Sequence, residues 1–324
     1  MKVINLKDDT PIEYEGAYRM SMDWYHAQCT TGPSISSTGL RKIDMQSPWH
    51  FWAESNLNPN RYPERDQSDS LILGKATHCL LLGDEVFDEQ FIFVPDDAPN
   101  RPSPQQLKAY EENRATEIGT RSVEFWRDFN ERAKGRLFLT SEQIQKIGYM
   151  TENVRRNPEA VQALTGTLTE ISLIWQDEMT GVWLKSRPDV IPDNGFDFGD
   201  LKTFAPRSKT IERSVHQAIT EHGYDMQMAL AIMGVEAVAG TTANECVLVM
   251  VQSVAPYTVT PVRLDDETIY WAKVRLRKAI NTFAHCLATG HWPMPVEGIL
   301  DYSLPPSMSE RFSEMQAEGE LPNL

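Results

Sequence analysis

The chain is short of cysteine, of long apolar runs and of positive charge, and each shortage removes a class of protein. Its four cysteines, Cys29, Cys79, Cys246 and Cys286, lie far apart. No CxxC pair occurs, which argues against a zinc site and, less strictly, against an iron–sulfur cluster, whose ligands are sometimes dispersed. No run of eighteen apolar residues exists, so no membrane helix is expected. The N-terminus, MKVINLKDDTPIEYEG, lacks the apolar segment of a signal peptide. Isolated thiols without a signal fit a reducing cytoplasm. Lys and Arg number 31 against 46 Asp and Glu, a formal charge of −15 over 324 residues. That balance argues against a protein that coats nucleic acid non-specifically. The charge is uneven, however. Val296 to Leu324 carries six acids and one arginine, whereas Trp183 to Arg213 carries six bases and five acids, so the net figure does not veto a DNA substrate.

What is present is a 41% apolar chain, long enough for one large domain or two ordinary ones, with no internal repeat. Hydroxyl caps predict short helices after Ser36-Ser37 and after Ser47-Pro48. Ser70 to Leu82, SLILGKATHCLLL, is apolar nearly all round and reads as a buried helix. A short strand at Phe91–Val94 precedes helices at about Ser103–Arg114, Val123–Lys134, Ser141–Arg156 and Pro158–Leu164. Three strand-like runs follow, Thr167–Gln176, Gly181–Ile191 and Phe196–Thr203. Helices at Lys209–Thr220 and Tyr224–Ala239, strands at Glu245–Ser253 and Tyr257–Arg263, and a long helix at Asp265–Thr289 complete the pattern. The expected class is α/β (α+β): one domain over 1–295 with a mixed central sheet flanked by helices, its mainly helical part at 1–165 and its sheet and helices at 166–295. An acidic, irregular tail is expected over 296–324.

Asn194-Gly195 lies between two of these strand-like runs and predicts a two-residue type I′ hairpin. Counting outward pairs Asp193 with Phe196, Ile191 with Phe198, Asp189 with Asp200 and Arg187 with Lys202. Those last four side chains then share one face. Like charges placed directly opposite destabilise a sheet. The repulsion is relieved if one carboxylate is protonated, if Arg187 and Lys202 screen it, or if a divalent cation bridges the pair. Pro192 removes a ladder donor, and a bulge there would shift the register. A solvated face of mixed charge is the plain alternative.

Pro188-Asp189, then Asp200-Leu201-Lys202, spells PD…(D/E)xK, and this resembles the PD-(D/E)XK nuclease superfamily. The order of further blocks resembles its RecE (exonuclease VIII) branch, found in phages and prophages. Those blocks are YHAQCTTGPSISSTGLRKIDMQSPWHFW, His78 in GKATHCLLLG, Glu170 in TLTEISLIW, and Tyr224 and Gln227 in YDMQMALAIMG. The likeness runs from about Tyr25 to Trp292. It implies a RecB-type nuclease core acting in a bacterial or prophage setting on double-stranded DNA ends. It implies 5′→3′ degradation that leaves a 3′ single strand for recombination, a ring-shaped homo-oligomer, a tetramer, and a single-strand annealing protein as partner. An endonuclease on the same core and a catalytically silent DNA-end scaffold are the rival readings.

The resemblance assigns roles residue by residue. Asp189, Asp200, the Leu201 carbonyl and His78 would hold Mg²⁺, with Mn²⁺ substituting. Lys202 would orient the attacking water or stabilise charge on the phosphate. Glu170 would be an outer acid or a second-metal ligand, and Gln227 and Tyr224 would position phosphate or water. Arg187, Arg207, Lys209 and Arg213 would hold DNA backbone. Each has a bland counterpart: a hydrogen-bonded core histidine, an exposed strand glutamate, helix packing, a solvated basic face. The superfamily's QxxxY is incomplete, since Ala231 follows Gln227 by four residues. Tyr224 shares the helical face of Gln227 and can substitute. The remaining histidines, His26, His50, His216, His222, His285 and His291, form no metal spacing. Trp49 and Trp52 suit a core or subunit contact better than a wedge into DNA.

Overall fold

The computed structural model describes residues 1–62, 68–82, 87–191, 197–243 and 245–324. The N-terminal part alternates short strands with helices: β1 (Val3–Asn5), β2 (Gly16–Arg19), α1 (Met22–His26), β3 (Ser34–Ser36), α2 (Ser37–Met45), α3 (Pro48–Glu54) and α4 (Asp69–Leu81). Next come α5 (Phe87–Gln90), β4 (Phe91–Phe93), α6 (Pro104–Glu111), α7 (Glu117–Ala133), β5 (Leu137–Leu139), α8 (Ser141–Arg155) and α9 (Pro158–Ala163). The strand-rich part holds β6 (Leu168–Thr169), β7 (Ser172–Gln176), β8 (Trp183–Ser186), β9 (Val190–Ile191), β10 (Asp197–Phe204), α10 (Ile211–His222), α11 (Tyr224–Ala239), β11 (Glu245–Gln252), β12 (Val259–Arg263), α12 (Asp266–Thr289) and α13 (Pro306–Ala317).

Helix starts follow the capping chemistry in the sequence. Ser47, Ser68, Ser103, Thr140 and Thr210 each accept an N–H of their helix's first turn, and Pro48 and Pro104 sit where a missing donor costs nothing. Ser36 departs from expectation: it is the N-cap of α2, but its hydroxyl accepts no helix N–H. Helix α4 departs too, because Leu71 and Leu80 are exposed although the rest of its apolar residues pack inward. The tail is not wholly irregular, since Pro306–Ala317 forms α13 with no buried residue.

The expected single sheet is two. One runs β1-β2-β7-β8-β3 and the other β12-β11-β10-β9-β6, with a small β4-β5 pair apart. The runs 167–176 and 181–191 each break and contribute to both sheets. The breaks fall at Glu170, which adopts a left-handed backbone (φ 52°), and at Arg187 to Asp189. The pairing offset is nevertheless unchanged across the break. Leu173 faces Ser186 in the first sheet, and Thr169 faces Val190 in the second. The hairpin is therefore one ladder bent between two sheets.

The helix α11, YDMQMALAIMGVEAVA, has no polar stripe; its Gly234 lies against Leu173 and Trp175, and its buried residues share one core with those and with Phe198, Leu248 and Met250 of the other sheet. Each large side chain so buried contributes roughly 1.5–3 kcal/mol. The opposite face of β10 and β11, through Leu201, Val249 and Val251, packs with residues of α4, α8 and α9. There Gly199 meets α9 so closely that a Cβ would sit 1.9 Å from the Ala163 carbonyl oxygen. Trp52 stacks on Trp292 at 4.7 Å, and it and Trp49, both half-buried, pack against the same core. No helix among the described residues is long and apolar enough to cross a membrane.

Candidate active site

Strand register builds the site. Val190 pairs with Gly199, the offset counted from the sequence, and this sets Asp189 beside Asp200. The turn residues Asn194 and Gly195, with Pro192, Asp193 and Phe196, lie outside the described residues. Across the other edge, the Glu170 N–H donates to the Asp189 carbonyl at 3.0 Å. Glu170, Asp189 and Asp200 thus form one transverse row, Asp200 on β10 and the other two at the breaks beside β6 and β9. The row was half legible: the register of Glu170 hangs on the turn at 177–182, whose length left several pairings open.

Each carboxylate is tied by donors from a different element. Asp189 Oδ2 accepts the Leu201 N–H at 2.6 Å, and its Oδ1 lies 2.8 Å from His78 Nε2 on α4. The other ring nitrogen, Nδ1, is 3.4 Å from Glu170 Oε1. Asp200 Oδ1 accepts from Gln227 Nε2 on α11 at 3.0 Å, and its Oδ2 is ion-paired with Lys202. Lys202 Nζ also lies 3.4 Å from the Leu201 carbonyl and 5.4 Å from the centre of the Tyr224 ring. A polar contact with Asp200 and a cation–π contact therefore place Gln227 and Tyr224 together at the site, one helical turn apart.

Burial and charge set the protonation states. For Asp200, burial and then the neighbouring Asp189 push the carboxyl up to about 6, against the pull of Lys202. Burial would raise Asp189 as well, but His78, Lys202 and the Leu201 N–H outweigh it and hold that carboxyl below its usual range. Burial works against an imidazolium at His78, yet Asp189 and then Glu170 push it up to about 9. Burial likewise opposes charge on Lys202, and the two aspartates outweigh it and hold its ammonium above the usual lysine value. At neutral pH the row is a network of alternating charge, and Asp200 is its least satisfied member.

The donor set fits a hard divalent cation by chemistry: two carboxylates and a backbone carbonyl, with an imidazole that suits Mn²⁺ better than Mg²⁺. The raised Asp200 marks negative charge that the protein's own cations leave under-compensated. As arranged, Lys202, Gln227, His78 and the Leu201 N–H occupy these oxygens. Among the described residues no group of three or more His, Cys, Asp and Glu side chains has metal-holding geometry.

The row lies in a cleft of about 1480 Å³. Apart from the row and Lys202, its charged lining is Arg19, Arg41, Lys75, Lys134, Arg136, Arg187 and Arg207 against Asp23, Glu89 and Glu221. The walls are thus net basic in a chain of net charge −15. Of the expected backbone-holding residues, Arg207 reaches this cleft, where it pairs with Glu221 at 2.7 Å. Lys209 and Arg213 are exposed and do not line it. Arg187 lines the cleft but not opposite Lys202. The break at 187–189 swings it toward the first sheet, where it donates to the Ser172 hydroxyl at 2.8 Å and the Met20 carbonyl at 3.0 Å. Arg41, which had no assigned role, also lines the cleft and donates to the His222 carbonyl at 2.7 Å. Its position after SSTGL carried no spacing signal.

A mixed α/β core with an acidic row and an adjacent lysine at paired strands is the arrangement of a PD-(D/E)XK-type domain. The chain belongs to the family described as a PDDEXK-like domain of unknown function (DUF3799), whose model matches residues 36–302. Its structure is similar to that of a Eubacterium rectale protein provisionally named an exonuclease, with 13% identity, TM-score 0.52, and coverage of 89% of this chain and 96% of that one. A phage-related exonuclease from Haemophilus somnus is a more distant match, with 14% identity, TM-score 0.29, and coverage of 60% and 92% of the two chains. No curated protein matches the chain.

Proposed function

We propose that the protein is a divalent-metal-dependent exodeoxyribonuclease of the RecE type. It shortens linear double-stranded DNA 5′→3′ from its ends and leaves 3′ single strands for recombination. One observation carries this reading: the Glu170–Asp189–Asp200 row with Lys202 lies in a net-basic cleft of an otherwise acidic chain. The provisional name of the Eubacterium rectale protein points the same way.

Asp189, Asp200, His78 and the Leu201 carbonyl would hold Mg²⁺, or Mn²⁺ in its place. The ion would supply Lewis-acid polarisation of the scissile phosphate and a more acidic water. The protein's own groups do the rest. Gln227 fixes the plane of the Asp200 carboxylate. The Lys202 ammonium, kept charged by both aspartates, is a fixed cation for the negative charge that develops on phosphate oxygens. Tyr224 limits where that ammonium can swing. Glu170 orients His78, which in turn orients Asp189. Arg207 and the other basic wall residues would grip the backbone in a salt-sensitive manner. A ring-shaped homo-oligomer, a tetramer, threaded by DNA and an annealing partner for the 3′ strand complete the reading.

The test is degradation of linear duplex labelled separately at each end, beside closed circular duplex, in Mg²⁺, in Mn²⁺ and in chelator. Loss of the 5′ label first, an intact circle and silence in chelator are expected. A cut circle would make the protein an endonuclease. Inactivity of wild type equal to that of Lys202→Ala in both metals would leave only a DNA-end scaffold.

A further inference from the structure

Helix α12 is apolar on two sides. One side, through Ala272, Leu276, Ile280 and Phe283, is buried in the core. The other faces solvent, yet it presents Tyr270, Trp271 and Val274 at 59%, 55% and 42% exposure. The two rings lie edge to face with their centres 5.1 Å apart. Single exposed apolar residues are ordinary, but a Tyr–Trp pair with a valine one turn on is a contiguous patch, and such aromatics anchor protein interfaces. Exposed charges bracket the patch. Glu267 lies one turn before Trp271, and Lys278 lies one turn after Val274. Among the described residues neither charged side chain has an ion-pair or hydrogen-bond partner. Positions 267, 271, 274 and 278 are spaced by four, three and four residues, so they form one stripe along the helix, with the spacing of a two-helix seam.

That stripe is its own complement when a second copy is turned end for end. In an antiparallel pair of α12 helices centred between Trp271 and Val274, each Trp271 meets the partner's Val274. The same centre sets each Glu267 opposite the partner's Lys278, because both pairings share one midpoint. A parallel pair would instead set Glu267 on Glu267 and Lys278 on Lys278. We propose that α12 is the contact of a two-fold homodimer, packed antiparallel on α12 of a second copy through Trp271 and Val274, with Glu267–Lys278 ion pairs at both ends. A two-fold contact uses the same patch on both copies, whereas a head-to-tail ring uses two different ones. The contact is therefore separate from any ring around DNA, and it does not rest on the nuclease reading. Two half-exposed aromatics per copy supply only part of the roughly 1,600 Å² of a standard interface. Association is accordingly expected to be weak and reversible, with Kd of about 10–100 μM.

The test is cross-linking of the full-length chain. All four native cysteines are buried, so one exposed cysteine reports alone. In the antiparallel register residue 274 lies about 4.5 Å along the axis from its own counterpart, and residue 281 about 25 Å. A short bismaleimide is expected to couple Val274→Cys into a covalent dimer at high micromolar protein and to leave Asn281→Cys uncoupled. Coupling of both would mean a parallel or non-specific encounter, and coupling of neither would mean no contact; each overturns the proposal. Both positions are exposed, and circular dichroism melts check that the variants fold. In the Val274→Cys chain, adding Trp271→Ala is expected to weaken dimerisation at least about thirtyfold, read from the concentration dependence of coupling. Glu267→Lys or Lys278→Glu alone should weaken it about tenfold by setting like charges opposite, and the two together should restore it. Failure of the double exchange to restore coupling overturns the register. Loss of coupling in Phe312→Ser, on the exposed α13, would give the face to that helix and overturn the homodimer.

Discussion

Replacing Asp200 by asparagine removes a buried negative charge while keeping the side-chain shape and the acceptor for Gln227. The wild-type carboxyl is pushed from 3.8 up to about 6 in the folded chain. An acid whose folded value is raised contributes stability that is present below the unfolded value and lost as pH rises through the folded one. Above pH 6 the charge therefore opposes folding, by at most about 3 kcal/mol for a shift of this size. Lys202 loses its closest anion in the variant, which takes back part of the gain. In chelator at pH 8, Asp200→Asn is expected to be more stable than wild type by roughly 1–3 kcal/mol, a rise of about 2–6 °C in Tm. At pH 5 the wild-type carboxyl is protonated and the difference should shrink toward zero. Mg²⁺ or Mn²⁺ should raise the Tm of wild type by mass action and leave the variant unmoved, while nuclease activity is lost. Thermal melts of both proteins at the two pH values, with and without metal, decide the matter. A variant less stable than wild type at pH 8 in chelator would mean that Lys202 and Gln227 already satisfy the Asp200 charge, and the electrostatic case for a cation would fail.

Lys202→Ala should lower kcat by about 10²–10³-fold, as loss of a fixed charge at a developing anion does, with metal-induced stabilisation retained in melting curves. His78 has its folded value raised from 6.5 to about 9, so its ion pairs stabilise fully below pH 6.5 and fade as pH passes 9. His78→Ala should accordingly cost up to about 3 kcal/mol at pH 6 and much less at pH 9.5, measured by denaturant unfolding in chelator. Gly199→Ala drives a methyl group into the Ala163 carbonyl and should destabilise by several kcal/mol, with circular dichroism melts as the readout. A wild-type-like melt would show that α9 can shift away from β10 freely.

Much of this site was legible because two short-range rules act on it directly. The Asn-Gly turn between apolar runs and the period of two along strands suffice to set Asp189 beside Asp200, and Val190 opposite Gly199 agrees. The cap hydroxyls located most helix starts to within a residue or two. The misses came from features without a local signature. The bend at Glu170 and at 187–189 divides one ladder between two sheets without any local sequence signal, and it removed Arg187 from the Lys202 face. The position of His78 depends on how α4 packs beneath β10, which no spacing encodes. The basic cleft draws its residues from β2, α2, α4, the α7–β5 turn and β8 onward, so composition shows only their dilution in an acidic total.

The hairpin that crosses from one sheet to the other constrains chain length as tightly as it constrains chemistry. A single residue gained or lost within either arm between Thr169 and Lys202 would rotate one acid to the wrong side and unpair it from the others. The turn at 177–182 can change size without that penalty. Length variation among functional relatives should therefore collect in that turn and in the exposed C-terminal helix, and be missing from the arms.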